Sequence, residues 1–389
     1  MDKDVLDRSI ARRLLDHIEH QTTDMADGVL ELPADIYSSE AHYQEELEVL
    51  FSEAPLVFCL SGALPRPGSY LTLQMLGVPI LLTRDAAGRV HALANVCRHR
   101  GVRVVDGRGE ARRFTCPFHA WVYDLEGKLV GVPVAEGFEG LCREERGLIE
   151  LPVAEGFGLV VGRLRRGDPV AIESYLGSEL TEELSLLDFA GWELLGDPHV
   201  HPVNANWKVT LDTYRENYHF NYLHRKTLAG YAYGGVLTFD AFGRHVRNAS
   251  AIRTIDALKG EPDEAWEDPS RHFSYQYSLF PNVCLTFDCR HAEFWQIVPV
   301  DAHRSEVLHM VHLRPGLAEE EGAKLTEMLP WICQAVVDGE DFWVAGRTEP
   351  GIQAGLVETV LFGRNEPAPQ HLHRGFLSAL EAAAGRRTG

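Results

Sequence analysis

Cys97-Arg98-His99 and Cys116-Pro117-Phe118-His119 decide how this chain is to be read. Sixteen residues separate His99 from Cys116, and thiol and imidazole alternate twice, as C-x-H and then C-x-x-H. Two thiolates can hold one iron of a [2Fe-2S] cluster while two neutral imidazoles hold the other. Replacing two thiolates by two histidines removes negative charge from around the cluster. That raises its potential from roughly −400 mV for an all-cysteine cluster to about −150 mV or above. A chain built this way carries an electron, and the question becomes where it delivers it. Tetrahedral zinc suits the same four residues, so the flanks must discriminate.

Those flanks read CRHRG around the first pair and CPFHAWVYD around the second, with a DLEGKL turn behind. In these pieces the sequence resembles the Rieske family, with Ala120 standing where glycine is more usual. The resemblance implies a Rieske [2Fe-2S] cluster on Cys97, His99, Cys116 and His119.

At 389 residues the chain is long enough for two cores. Its 45% hydrophobic and 24% charged residues are ordinary for a globular protein. No apolar run approaches the roughly 18 residues that span a membrane. The N-terminus lacks the apolar region of a secretory signal. Val5, Ile10, Leu14, Leu15 and Ile18 instead space out an amphipathic helix. A formal net charge of −20 speaks against nucleic acid as partner. Beyond the two ligand cysteines, Cys59, Cys142, Cys284, Cys289 and Cys333 read as reduced thiols of a cytoplasmic protein.

From Pro55 to Val161 short strands alternate with turns. VPILLTRD and VHALANV flank one hairpin turn, and the strands around Leu125-Glu126-Gly127 another. This predicts an all-β domain over 55–161. Residues 207–224, WKVTLDTYRENYHFNYLH, read as a helix. FSYQYSLFPNVCLTF, AEFWQIVPV and EVLHMVHLRP follow as antiparallel strands, and helix formers fill the last third. An α+β domain over 162–389 is expected, with residues 1–54 as its N-terminal helical part.

The stretch Glu216-Asn217-Tyr218-His219 and then His224 carries a second site. Five residues turn a helix by about 500°, which leaves the two rings some 140° apart. Both can face one metal only if the helix is broken or bulged. Beside an electron carrier, two histidines call for one carboxylate, because a 2-His-1-carboxylate triad holds Fe(II) and leaves positions open. Asp338-Gly339-Glu340-Asp341 offers candidates.

Here the sequence resembles the alpha subunits of Rieske non-haem iron oxygenases, from about Pro55 to Phe376. In that family a carboxylate on a late helix precedes a Q-x-G motif by eight residues. Glu349-Pro350-Gly351 takes that place, and FGRNEPAPQHLHR the place of a later family segment. The resemblance therefore implies Asp341 as the ligand beside His219 and His224, with Glu340 its competitor because Glu349 departs from the family's glutamine. It implies a Rieske domain inserted into a helix-grip (START-like) domain. It also implies a homotrimer, with or without a small beta subunit. There Glu216 bridges His219 to His119 of the neighbouring subunit, and Asp212 extends the network. Trp207 and Lys208 match the opening of the family's helix as packing residues. Tyr231, Tyr233, Phe239, Phe280, Asn282, Phe287 and Trp295 are expected pocket residues. The implied function is a terminal oxygenase using O2 and NAD(P)H electrons, delivered by a reductase or ferredoxin. The expected reaction is hydroxylation of an aromatic substrate, as in aromatic catabolism. Oxidation of a quaternary amine or demethylation is the alternative, and an electron carrier without oxygenase activity is the alternative of another class.

Overall fold

The computed structural model describes residues 2–317 and 319–388. The chain forms two compact units: residues 52–175 with 188–197, and residues 1–51 with 176–187 and 198–389. The chain of the first unit thus interrupts that of the second. The expected boundary between 161 and 162 falls inside the first unit.

The first unit is all β apart from short helical turns. Its five-stranded sheet contains the Val78–Arg84 and Val90–Ala94 hairpin, and a three-stranded sheet contains Val122–Asp124 and Leu129–Gly131. Both hairpins turn by the same device. Asp85 Oδ1 accepts the N–H groups of Ala87 and Arg89, each at 2.9 Å. Asp124 Oδ1 accepts those of Glu126 at 3.0 Å and Lys128 at 2.8 Å. Gly88 and Gly127 supply the left-handed residue, with φ of 84° and 81°. Leu81, Leu93, Val104, Phe114, Trp121, Tyr123, Leu129 and Leu148 close a core around Cys97 and Cys116.

The second unit is built on a seven-stranded sheet. From edge to edge its strands are Glu193–Val203, of which residues 198–203 belong to this unit, Arg304–Leu313, His291–Asp301, Val283–Phe287, Phe273–Leu279, His245–Ile252 and Ala232–Phe242. Register assigns the faces. Ser278, Cys284, Trp295 and His309 are successive cross-strand partners, so they share one face. On the other face Tyr275, Tyr277 and Phe287 stack, and the Tyr275 hydroxyl donates to Asp7 of the N-terminal helix, Lys3–His20. Leu6, Ile10 and Leu14 of that helix are buried, but Val5 points to solvent. A long late helix runs as Glu319–Trp331, a π-helical stretch Ile332–Asp341, and Phe342–Gln353. The chain closes with the helix Pro367–Thr388.

The expected helix over 207–224 stops at Asp212. It is capped by Asn206, whose Oδ1 accepts the Lys208 N–H at 2.9 Å. Trp207 and Lys208 pack as expected. Lys208 Nζ donates to Glu46 at 2.7 Å and Trp207 Nε1 at 2.9 Å. Burial depresses the Lys208 ammonium, and Glu46 opposes that effect. Both partners are removed from water, so Lys208→Met should strand a buried carboxylate and cost about 3–5 kcal/mol. Adding Glu46→Leu should recover much of that loss. Urea unfolding of the two variants would measure both steps, and equal destabilisation by single and double variants would contradict the account.

Candidate metal centres

In the first unit each ligand loop is one tight turn. The Cys97 carbonyl accepts the Gly101 N–H at 2.9 Å, and the Cys116 carbonyl accepts that of Ala120 at 3.0 Å. Ala120 adopts φ of +56°, a left-handed conformation that favours glycine, which accounts for the family's preference there. Asn95 braces the first loop, its Oδ1 accepting the Val104 N–H at 3.0 Å. His99 stacks on Trp121, and the His99 and His119 ring centroids lie 4.5 Å apart. Cys97 and Cys116 are buried. Nδ1 of both histidines is buried with no hydrogen-bond partner among the described residues. Two thiols and two orphaned imidazole nitrogens at the tips of adjoining loops fit a [2Fe-2S] cluster.

The Tyr123 hydroxyl accepts the Arg98 N–H at 3.0 Å and lies 3.3 Å from Cys97 Sγ. Burial and the Cys97 thiol push that hydroxyl well up, so it stays a donor. A hydrogen bond to a ligand sulfur favours the reduced, more negative cluster. Tyr123→Phe should therefore lower the cluster's potential. A redox titration followed in the visible would read it, and an unchanged or raised potential would contradict the assignment.

In the second unit, the short helix ends in turns tightened by Tyr214 N–H to Leu211 O at 3.1 Å and Arg215 N–H to Asp212 O at 3.2 Å. Asn217 then locks the break. Its Nδ2 donates to Val236 O at 2.7 Å and its Oδ1 accepts the Gly235 N–H at 3.1 Å. This break lets His219 and His224 converge, their Nε2 atoms 3.2 Å apart. Asp341 Oδ1 lies 3.5 Å from His219 Nε2 and 3.1 Å from His224 Nε2. Behind the rings stand two more carboxylates. Glu216 accepts from His219 Nδ1, and Glu340 from His224 Nδ1 at 2.7 Å and from the Thr227 hydroxyl at 2.6 Å. Burial works against a charged His219, but the Asp341 and Glu216 carboxylates outweigh it and lift the ring to about 9. Two imidazole nitrogens and one carboxylate oxygen meeting at a point, each ring held from behind, fit a mononuclear iron.

Of the two neighbours, Asp341 thus faces the converging nitrogens and Glu340 orients a ring. Glu216 stands beside His219. Asp212 turns elsewhere, accepting from the Tyr37 hydroxyl at 2.7 Å and lying 3.0 Å from His373 Nε2. Glu349 is buried and accepts the Asn206 N–H at 2.8 Å and His303 Nδ1 at 2.9 Å, bracing the start of the short helix. Among the expected pocket aromatics, Trp295 lies on the face shared with His309. Phe287 stacks on the opposite face, Phe280 packs on Phe376, and the Tyr233 hydroxyl bonds Asp256. Tyr214 was not foreseen. It packs on Trp295 and Phe342, and its buried hydroxyl lacks a partner among the described residues. Its position next to a helix break beside Glu216 was the only sequence signal for it.

If Asp341 is the ligand, Asp341→Ala should lower iron from about three to about two per chain and leave the Rieske absorption intact. Glu340→Ala should weaken iron retention by about 10–100-fold. The reverse order in iron analysis would make Glu340 the ligand.

A cluster-binding β unit and a sheet unit with two histidines and a carboxylate define an iron-dependent redox protein. Comparison with known proteins agrees. The family model "Rieske [2Fe-2S] domain" matches residues 54–143, and "Ring hydroxylating alpha subunit (catalytic domain)" matches residues 189–382. The chain belongs to the alpha subunits of the Rieske non-haem iron oxygenases. It is similar to choline monooxygenase of Spinacia oleracea, 30% identical over 59% of this chain and 52% of that protein. It is likewise similar to the terephthalate 1,2-dioxygenase terminal oxygenase alpha subunit of Comamonas sp, 30% identical over 61% of this chain and 59% of that one. The matched stretch thus spans just over half the length of these relatives. Among solved structures, the quaternary ammonium Rieske monooxygenase CntA with L-carnitine superposes with a TM-score of 0.73 at 20% identity, covering 92% of this chain and 96% of that one. Naphthalene 1,2-dioxygenase from Rhodococcus sp. gives 0.71 at 19%, covering 96% of each. At such identities these two likenesses establish the fold.

Proposed function

We propose that this chain is the terminal oxygenase of a multicomponent system, fed with NAD(P)H electrons by a reductase or ferredoxin. The observation that carries this reading is the convergence of His219, His224 and Asp341 in a chain that also presents the Rieske ligand loops. When bound, the cluster supplies single electrons and the mononuclear iron activates O2. The protein's part is to hold and orient. Glu340 and Glu216 fix the two ligand rings through Nδ1, and the half-buried Tyr214 packs on the buried Trp295 and Phe342. Glu216 is the proposed electron bridge toward His119 of the partner subunit in a homotrimer.

For the substrate we propose a quaternary or N-methylated ammonium compound, oxidised at a carbon next to nitrogen. Tyr214 packs on Trp295 and Phe342, and burial with the Asp341 carboxylate pushes its hydroxyl up. An aromatic surround suits a cation. Choline monooxygenase and glycine betaine monooxygenase stand among the relatives. Hydroxylation of an aromatic compound is the second reading, favoured by the terephthalate and biphenyl dioxygenase relatives. The test is O2-dependent turnover by the reduced holoprotein over choline, glycine betaine and L-carnitine beside benzoate, terephthalate and biphenyl. Aldehyde release from the ammonium compounds alone is expected. Turnover confined to the aromatic compounds would replace the first reading with the second.

A further inference from the structure

We infer that His201, His309 and Cys333 form a third metal site in this chain, one that takes zinc and is separate from both iron centres. The three residues come from distant parts of the sequence. His201 lies on the edge strand Glu193–Val203, His309 on the neighbouring strand Arg304–Leu313, and Cys333 on the π-helical stretch Ile332–Asp341. One donor atom from each lies within 4.8 Å of the other two. Both histidines are buried.

His201 is presented in the way a ligand imidazole requires. His201 Nδ1 lies 2.7 Å from Asp338 Oδ1, which fixes the proton there, and its Nε2 is buried with no partner among the described residues. His309 is turned the other way round. Its Nε2 lies at ion-pair distance from Glu293 Oε2, 3.3 Å, and its Nδ1 faces Cys333 Sγ at 3.6 Å. A ligand histidine normally gives its second N–H to a carboxylate or carbonyl. Asp338 does so for His201, while Glu293 stands at ion-pair distance behind His309, whose other nitrogen faces the Cys333 thiol. Trp295 stacks flat on His309 with centroids 3.5 Å apart, which holds the ring plane.

The spacing suits a tetrahedral ion. Bonds of about 2.3 Å to sulfur and 2.0–2.1 Å to nitrogen at the tetrahedral angle place the two donors about 3.6 Å apart. That matches the Cys333–His309 separation. A thiolate with two imidazoles is a softer donor set than two imidazoles with a carboxylate, and it selects zinc over Fe(II). Three protein ligands leave a fourth position for water. Binding expels the Cys333 thiol proton to solvent, and no electron is exchanged. The ion ties two strands of the sheet to the helix that carries Asp341. This inference does not depend on the oxygenase reading or on its substrate.

The test uses the holoprotein produced and purified with zinc sulfate present. About one zinc per chain is expected beside the iron. X-ray absorption at the zinc edge should show one sulfur near 2.3 Å with nitrogen or oxygen neighbours near 2.0 Å. Cys333→Ala and His309→Gln should each lose the zinc while keeping iron content and Rieske absorption. Full iron content in the same sample shows that zinc has not displaced iron at the other two centres. Holoprotein without zinc, a zinc shell without sulfur, or zinc retained in Cys333→Ala would each overturn the site. If Cys333→Ala does not fold, His309→Gln and the sulfur shell of the unsubstituted protein still decide.

Discussion

Cys116→Ser protein is expected to lack the visible Rieske absorption and to show no O2-dependent turnover at all. A hard hydroxyl replaces a soft thiolate at a position where the cluster has no substitute donor. Cys116 is buried in the same core as Cys97, Trp121 and Tyr123. Burial already pushes the Cys116 thiol up, so a neutral side chain is tolerated there and the unit should still fold. The mononuclear centre lies in the other compact unit, so about one iron per chain should remain. Iron and acid-labile sulfide analysis beside the visible spectrum measures this outcome. A Cys116→Ser protein that keeps its cluster spectrum would remove Cys116 from the ligand set.

The second large effect is expected at Glu216. Glu216→Gln keeps the volume and removes the charge that faces His219 Nδ1. Both metal sites should still fill, since Glu216 contributes no ligand to either. Loss of a carboxylate that orients a ligand histidine typically costs 10–100-fold. The loss here should exceed that, because the proposed electron route between subunits runs through this side chain. Single-turnover oxidation of the pre-reduced cluster, started with O2 and substrate, separates the two effects. Unsubstituted clusters should oxidise in step with product, and Glu216→Gln clusters should stay reduced far longer. Unsubstituted kinetics in the variant would mean that the electron takes another path.

The Cys97, His99, Cys116 and His119 set could be read from the sequence because each pair of ligands lies within one turn, and turn chemistry is local. Even the sense of the two hairpins was written in Asp85, Gly88, Asp124 and Gly127. The histidine pair was legible only with a condition attached, that the helix must break. It breaks because Asn217 exchanges hydrogen bonds with Val236 and Gly235, a tertiary clamp that no propensity announces. Asp341 and Glu340 were harder to separate. Neighbours on a helix point about 100° apart, and only the folded helix reveals which one faces His224 Nε2 and which His224 Nδ1. The expected pocket aromatics divide for a related reason. Alternation along a strand says that Trp295 and Phe287 each face one side of the sheet. Which side meets the late helix depends on register, and register placed Phe287 with Tyr275 and Tyr277 instead.

The π-helical stretch Ile332–Asp341 gives the late helix an intolerance that surface segments do not share. One continuous rod must deliver Asp341 to the histidine pair and, eight residues on, Glu349 to Asn206 and His303. Removing any one residue of the stretch would rotate all that follows by about 100° and draw it back by about 1.5 Å. No side-chain rotamer restores both contacts after such a turn. Length in this segment is therefore under tighter constraint than chemistry. Many single substitutions between Ile332 and Val337 should be survivable, whereas one codon lost there should empty the iron site.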